Sequence, residues 1–247
     1  MSQNSNNQQQ EQKDEFELGK VLVFDKPLDW TSFDIVNKIR YMLRHYRHLK
    51  KIKVGHAGTL DPLATGILIV CTGKKTKEIT TYQDHDKEYV AKVKLGATTP
   101  SYDLETEIDS VTDASHITEN EVKACLETFL GEQEQYPPVY SAKKIDGKPA
   151  FVLAHQGRGD EVKMRPHVVV IHELEVLSWD DSNKEFELRV ACSKGTYIRS
   201  LAHDIGKKLG VGAHLTGLRR TKIGEITLKD AITIENFEKN LADSQIF

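Results

Sequence analysis

Residues Gly55-His56-Ala57-Gly58-Thr59-Leu60-Asp61-Pro62-Leu63-Ala64-Thr65-Gly66 run directly into Ile67-Leu68-Ile69-Val70. The apolar run reads as a strand. Three glycines in the twelve residues before it allow tight turns or close backbone approach to a ligand. Pro62 biases Asp61 toward extended geometry, so the carboxylate is presented from a stiffened loop. An Asp before Pro is equally at home as an ordinary turn former.

On the N-terminal side, Val21-Leu22-Val23-Phe24 predicts a buried strand that exits through Asp25-Lys26-Pro27. Thr31 and Asp34 have capping-box spacing, and Ile35, Val36, Ile39, Met42, Leu43 and Tyr46 recur with helical period, predicting a helix over about 32–47. The opposite face carries Arg40, Arg44, Arg47 and Lys51 in one stripe, and no acidic side chain occurs from residue 35 to residue 60. Without opposite-sign partners nearby, this stripe suits phosphate better than an ordinary solvated face.

Toward the C-terminus, Glu88 to Leu95 alternates as a half-buried strand with Tyr89, Ala91, Val93 and Leu95 on one face. The acidic segment from Asp103 to Glu121 predicts a solvent-facing excursion, poorly suited to touching an anionic ligand. A helix over 121–130 ends at Gly131, and Pro137-Pro138 opens a loop region rich in Lys and Gly. Val168–Ile171, Leu174–Leu177 and Phe186–Val190 read as separate strands. Cys192-Ser193-Lys194-Gly195-Thr196-Tyr197-Ile198-Arg199-Ser200 leads from a strand into a helix carrying Ile198, Leu201, Ala202, Ile205 and Leu209. Arg199 in its first turn opposes the helix dipole unless an anion compensates it, or unless it simply reaches water. Many strands and few long helices predict an α+β fold around a large, mostly antiparallel sheet.

The 247 residues, 38% hydrophobic and 29% charged, suit one large globular domain or two small ones and exclude a fibrous chain. The formal charge is −3; residues 1–17, with four acids and one lysine, account for all of it, leaving 18–247 neutral. A uniformly basic nucleic-acid binder is thereby excluded, while a local basic face on a balanced surface is not. The polar, low-complexity residues 1–17 predict a disordered tail, with 18–247 as a single folded domain. No apolar run is long enough to span a bilayer, no secretory signal is evident, and Cys71, Cys125 and Cys192 lack paired spacing. A cytoplasmic protein is expected. Ten histidines without ligand spacing, and the absence of G-x-S-x-G and P-loop patterns, argue against metal or standard hydrolase chemistry. A carboxylate on a stiff loop, an Arg, a basic face and spare tyrosines remain, the parts for covalent carboxylate chemistry on a polyanion.

Those residues resemble the TruB-type tRNA pseudouridine synthases, which isomerise uridine 55 of the T-loop. Asp25-Lys26-Pro27 with Thr31-Ser32 is similar to the family's first motif, Gly55 to Gly66 to its second, and Gly195 to Arg199 to its third. Lys87-Glu88-Tyr89 resembles the segment with the active-site tyrosine. Pro137 to Ala142 with Lys144, Gly147 and Lys148 resembles the start of an inserted thumb, here about 135–166. Gly212 to Leu215 and Leu218-Arg219-Arg220 match a later signature. Where the family usually has glycine in the first motif, this chain has Asp29-Trp30. The segment Gly96 to Asp103 departs from the usual pattern, and the few residues beyond Ile232 are too short for the C-terminal RNA-binding module of many relatives.

The resemblance implies a pseudouridine synthase fold in which Asp61 attacks a flipped uridine, at either ribose C1′ or uracil C6, with no cofactor or metal. Arg199 would pair with Asp61 and keep it ionised, and Tyr89 would stack on the base and assist proton removal, although its position also fits a core tyrosine. His56 would sit where the base leaves its loop, Tyr197 and Leu218 would line the pocket, and Lys26 would support the catalytic loop. Arg40, Arg44 and Lys51 would bind the RNA backbone. The expected partner of this monomer is the T-arm of tRNA, with no membrane and no metal. A non-catalytic RNA-binding or tRNA-folding protein is the main alternative. A glycosidase-type hydrolase needs a second acid near Asp61, and none lies within the 20 residues preceding it.

Overall fold

The computed structural model describes residues 13–141, 143–145, 147–159 and 162–243, apart from the Ile145 side chain. In chain order the elements are α1 (Glu15–Leu18), β1 (Val21–Lys26), α2 (Ser32–Arg47), β2 (Val54–Ala57), β3 (Ala64–Thr72), α3 (Ile79–Asp84), β4 (Lys87–Leu95), β5 (Ala97–Thr98), β6 (Ser110–Val111), α4 (Glu119–Glu127), β7 (Gly131–Gln135), β8 (Lys144–Ile145), β9 (Lys148–Pro149), α5 (Ala150–His155), β10 (His167–Asp180), β11 (Glu185–Cys192), α6 (Ile198–Leu209), β12 (Ala213–Ile223), β13 (Ile226–Thr227) and α7 (Ile234–Asp243).

The main sheet runs β1-β3-β12-β4-β11-β10-β7, with β13 on β12 and β2 on β3. It is antiparallel except where β12 pairs parallel to β3, through Leu218↔Ala64, Arg219↔Thr65 and Arg220↔Gly66. That pairing brings residues more than 150 positions apart to the loop before β3. Gly66 makes it possible: its φ is +101°, and an added Cβ would lie 2.2 Å from the Arg220 carbonyl oxygen. The fold is thus α+β with a large mixed sheet flanked by helices.

On one face, α2 and α7 bury Ile35, Ile39, Met42, Leu43, Phe237 and Leu241 against Phe24, Leu68 and Val70 of β1 and β3. The Thr31 hydroxyl accepts from the Asp34 amide at 3.0 Å while the Asp34 carboxylate accepts from the Thr31 amide at 2.8 Å, closing the expected capping box. Elsewhere α4 and α6 pack Val122, Leu126, Leu201 and Ile205 onto Ala91, Val93, Leu188 and Val190 of β4 and β11.

Several expectations need correction. Most of the predicted tail lies outside the described residues, but residues 15–18 form a helical turn rather than continuing it. Phe16 is buried edge-on to Phe237 at 6.1 Å, and Asp14 both caps the turn and pairs with Arg47 at 2.9 Å. The two strands expected at 168–177 are one strand, β10, whose alternation is interrupted by two register shifts against β11. The helix expected over 121–130 starts earlier, behind a Thr118–Glu121 capping box, and ends earlier, at Glu127. The long central strand β12 was not among the expected elements. The chain leaves the sheet after Gln135 and returns at His167, with the β8–β9 ribbon and α5 between; Ala142 lies outside the described residues. Among the described residues no helix is long and apolar enough to cross a membrane.

Candidate active site

A cavity of about 740 Å³ opens beside the parallel pair and is lined by Asp61, Tyr89, Tyr197, Arg199, Leu218 and Arg220 among others. Four elements or their loops deliver these residues, each for a local reason.

The Asp61 loop is pinned from below. Lys26, fully buried at the end of β1, donates Nζ to the carbonyls of Pro27 (2.9 Å), Trp30 (2.5 Å) and Pro62 (3.3 Å). The Ser32 hydroxyl, at the first turn of α2, donates to the Leu60 carbonyl at 3.0 Å and accepts from the Leu60 amide at 2.8 Å. The Asp29 amide donates to the Pro62 carbonyl at 3.0 Å. Asp29 itself has φ +64°, so the position where glycine was anticipated does adopt the left-handed backbone that glycine favours and Asp tolerates. Burial lowers the Lys26 ammonium to about 8, against the opposing pull of the Asp61 and Asp29 carboxylates.

Asp61 then meets the first turn of α6. Its Oδ2 lies 2.9 Å from Arg199 Nε, an ion pair whose N–H does not point in line with the oxygen. The guanidinium is fixed by donating Nη1 to the Ser101 carbonyl (3.1 Å) and Nη2 to the Tyr140 carbonyl (2.8 Å). Asp103 Oδ2 approaches the same Nε at 3.7 Å. One buried cation therefore stands between two carboxylates, which answers the dipole mismatch noted in the sequence. Asp103 corrects the expectation of a solvent-facing acidic excursion: its side chain is buried, while residues 104, 105 and 107–113 on either side of Thr106 include the exposed remainder. Burial raises the Asp61 carboxyl above its ordinary value; Arg199 pulls it down and Asp103 pushes it up. The side chain still keeps 36% of its surface open to the cavity lumen.

The third wall is β4 against β12. Tyr89 is the direct cross-strand partner of Arg220, and it is 8% exposed on the core face. Burial raises its phenol, opposed by the guanidinium of Arg220 beside it. Arg220, 1% exposed, donates Nε to the Ile67 carbonyl (2.8 Å) and Nη2 to the Gly58 carbonyl (3.2 Å), tying the glycine loop to the sheet. Lys87, also buried, holds the carbonyls of Gln83 and His85 at the cavity edge.

Of the residues singled out in the sequence, Asp61, Tyr89, Tyr197, Arg199 and Leu218 share the cavity, and Lys26 lies under its loop. His56 sits on β2 outside the lining, where burial and then Arg220 lower its imidazole. Arg40 donates to the Val54 carbonyl at 2.6 Å, and Lys38 pairs with Glu238 at 3.1 Å, so distant segments supply partners that local sequence lacks. Arg44, Lys50, Lys51 and Lys53 form no ion pair among the described residues and remain outside the cavity. The sequence reading assigned no role to Arg220 or Asp103. Arg220 had a motif signal in Leu218-Arg219-Arg220; Asp103 had none. Among the described residues no group of three or more His, Cys, Asp or Glu side chains is placed to hold a metal ion.

Comparison with known proteins gives matches over nearly the whole chain. The TruB family pseudouridylate synthase N-terminal domain model matches residues 45–198, and the tRNA pseudouridylate synthase B C-terminal domain model matches 199–245, which here carry most of α6 together with β12 and α7. The tRNA pseudouridine synthase B of Phocaeicola vulgatus is 53% identical over 231 residues, 94% of this chain and 97% of the relative. That of Parabacteroides distasonis is 54% identical over 232 residues, 94% and 97% of the two chains. Among solved structures, a crystal structure of a Cbf5-Nop10-Gar1 complex matches with a TM-score of 0.67 at 31% identity, over 91% of this chain and 54% of that one. The chain thus spans about half the length of that solved protein.

Proposed function

Because the chain belongs to the TruB family of pseudouridylate synthases, we propose that it is a tRNA pseudouridine synthase, that it isomerises uridine 55 in the T-loop, and that Asp61 is its nucleophile. The observation that carries the reading is the Asp61–Arg199 pair at 2.9 Å on the wall of a cavity large enough for an extruded nucleotide. Extruding a stacked base costs a few kcal/mol, which contacts to the base and its phosphates must offset. Tyr89 and Leu218 offer apolar surfaces to the uracil, and Lys143 at the cavity wall offers charge to the backbone, where Lys194 is paired with Asp84 at 2.8 Å.

The ionised carboxylate adds to ribose C1′ or to uracil C6, and the bond between N1 and C1′ breaks with its electron pair on the base. The uracil turns and bonds through C5 to C1′, the C5 proton leaves, N1 takes up a proton, and Asp61 is released. Atoms and electrons balance within one nucleotide, so the chemistry calls for neither cofactor nor metal. Arg199 favours the carboxylate over the acid before attack and neutralises it again on release. Tyr89 stacks on the base and, with Arg220 beside its hydroxyl, assists loss of the C5 proton. The step as proposed needs no group from a second subunit, and the reading is of a monomer working on tRNA in the cytoplasm. Ser141 and Lys143, between Gln135 and His167, line the cavity and offer the T-arm a second wall.

Incubating the protein with an unmodified tRNA transcript and mapping carbodiimide adducts by primer extension tests this reading. The expected result is one new stop, one nucleotide 3′ of position 55. An unmodified transcript that nevertheless binds the protein would overturn it in favour of an RNA-binding or RNA-folding role.

A further inference from the structure

The excursion at 136–166 springs from a single rung of the sheet, because Gln135 and His167 are direct partners in the β7–β10 pair. Both side chains of that rung reach the same distant segment. Gln135, 4% exposed, donates Nε2 to the Tyr197 carbonyl at 3.1 Å and accepts the Tyr197 amide on Oε1 at 2.8 Å, gripping one residue as a neighbouring strand would. His167 Nε2 lies 2.9 Å from the Gly195 carbonyl, and since a carbonyl only accepts, that nitrogen carries the hydrogen. Its ring stands edge-on to the Tyr197 ring at 6.0 Å.

The segment so held needs external support. Tyr197 is the N-cap of α6 and makes no side-chain cap bond, while Arg199 in the first turn opposes the dipole. Two further bonds come from the outgoing limb of the excursion: Ser200 Oγ donates to the Tyr136 carbonyl at 2.7 Å, and Arg199 Nη2 to that of Tyr140.

We infer that Gln135 and His167 are positioning residues of the reaction: as one rung they fix the backbone of Gly195–Tyr197 and thereby aim Arg199 at Asp61. The inference rests on the function proposed above. The groups facing Asp61 are Lys26 from β1, Tyr89 from β4, Asp103 and Glu105 after β5, and Tyr197 and Arg199 at the start of α6. Only the last two are held by the rung, so loosening it alters one cation against an unchanged remainder.

The test is single-turnover isomerisation of a tRNA transcript across pH by wild type, Gln135→Met and His167→Phe. Methionine keeps the buried volume and removes both bonds; phenylalanine keeps the ring against Tyr197 and removes one. A misplacement of about 1 Å is enough for roughly 100-fold, so Gln135→Met is expected to slow the saturated rate about 10- to 100-fold, with RNA half-saturation changed less than about threefold. His167→Phe follows with a smaller loss. In both, the acid limb moves to higher pH, because Asp61 with a less well placed Arg199 protonates sooner. Wild-type rates in folded variants, or a change in half-saturation alone with an unmoved acid limb, would overturn the inference. Should Gln135→Met fail to fold, the partly exposed His167→Phe decides by the same readouts. An inactive wild type would instead count against the function itself.

Discussion

Two buried arginines flank the Asp61 loop, and they use their donors differently. Arg220, on the central strand β12, donates to two carbonyls, those of Ile67 and Gly58, and adds its charge beside Tyr89. Arg199, in the first turn of α6, is held by two carbonyls as well but turns its Nε to the carboxylates of Asp61 and Asp103. The same side chain therefore builds a loop in one region and poises a reacting group in the other. What separates the roles is the acceptor each guanidinium meets: a carbonyl takes no charge from the pairing, whereas a carboxylate changes its ionisation.

That contrast can be broken most strongly at Arg199. Arg199→Met is expected to cut the saturated isomerisation rate of the folded protein by about 10²–10³-fold, the effect of losing one preorganised charge partner, in addition to the stability lost as the Ser101 and Tyr140 carbonyls lose their donor. Arg220→Met should act first on stability, with the smaller loss of rate. It leaves the buried Ile67 carbonyl and the half-buried Gly58 carbonyl without their donor, and about 2–4 kcal/mol of stability should disappear in a denaturant titration. Equal rate losses in the two folded variants would erase the distinction.

Asp103→Asn sharpens the electrostatic side. Asp103 pushes the Asp61 carboxyl upward, so removing its charge lets Asp61 stay ionised to lower pH. The acid limb of the rate profile should move to lower pH, opposite in sign to the effect of Arg199→Met. A shift to higher pH would mean that Asp103 acts by holding Arg199 in place. The smallest effect is expected at Asp29→Gly, where relief of the left-handed backbone and the added unfolded-chain entropy nearly cancel, leaving a change within about 0.5 kcal/mol. A loss above about 1 kcal/mol would show that the Asp29 carboxylate, near Lys26, contributes on its own.

Legibility in the sequence followed the range of the interactions. α2 was readable end to end, because Thr31, Asp34 and a helical apolar stripe act within a few residues of one another. Asp61, Tyr89 and Arg199 stood out through a proline-stiffened loop, a period of two and a cation against a helix dipole. β12 was not readable: Thr216, Gly217, Arg219 and Arg220 interrupt any alternation, and two register shifts against β4 change which side faces the core. Nor was Asp103, since nothing beside it in sequence says that Arg199, nearly a hundred residues later, will draw it inward. The premise that the basic stripe lacks partners fails in part for the same reason, with Asp14 arriving from the N-terminal end of the described chain to pair with Arg47 and the Val54 carbonyl accepting from Arg40.

The central claim is that the Asp61 carboxylate is the reacting group. Its most direct test is tritium release from a tRNA transcript labelled at uracil C5, with wild type and Asp61→Asn compared at the same salt and at saturating enzyme. Release by the wild type, with none above background from Asp61→Asn despite undiminished RNA binding, is the predicted result. Comparable release from both proteins would contradict it and move the nucleophile elsewhere in the cavity.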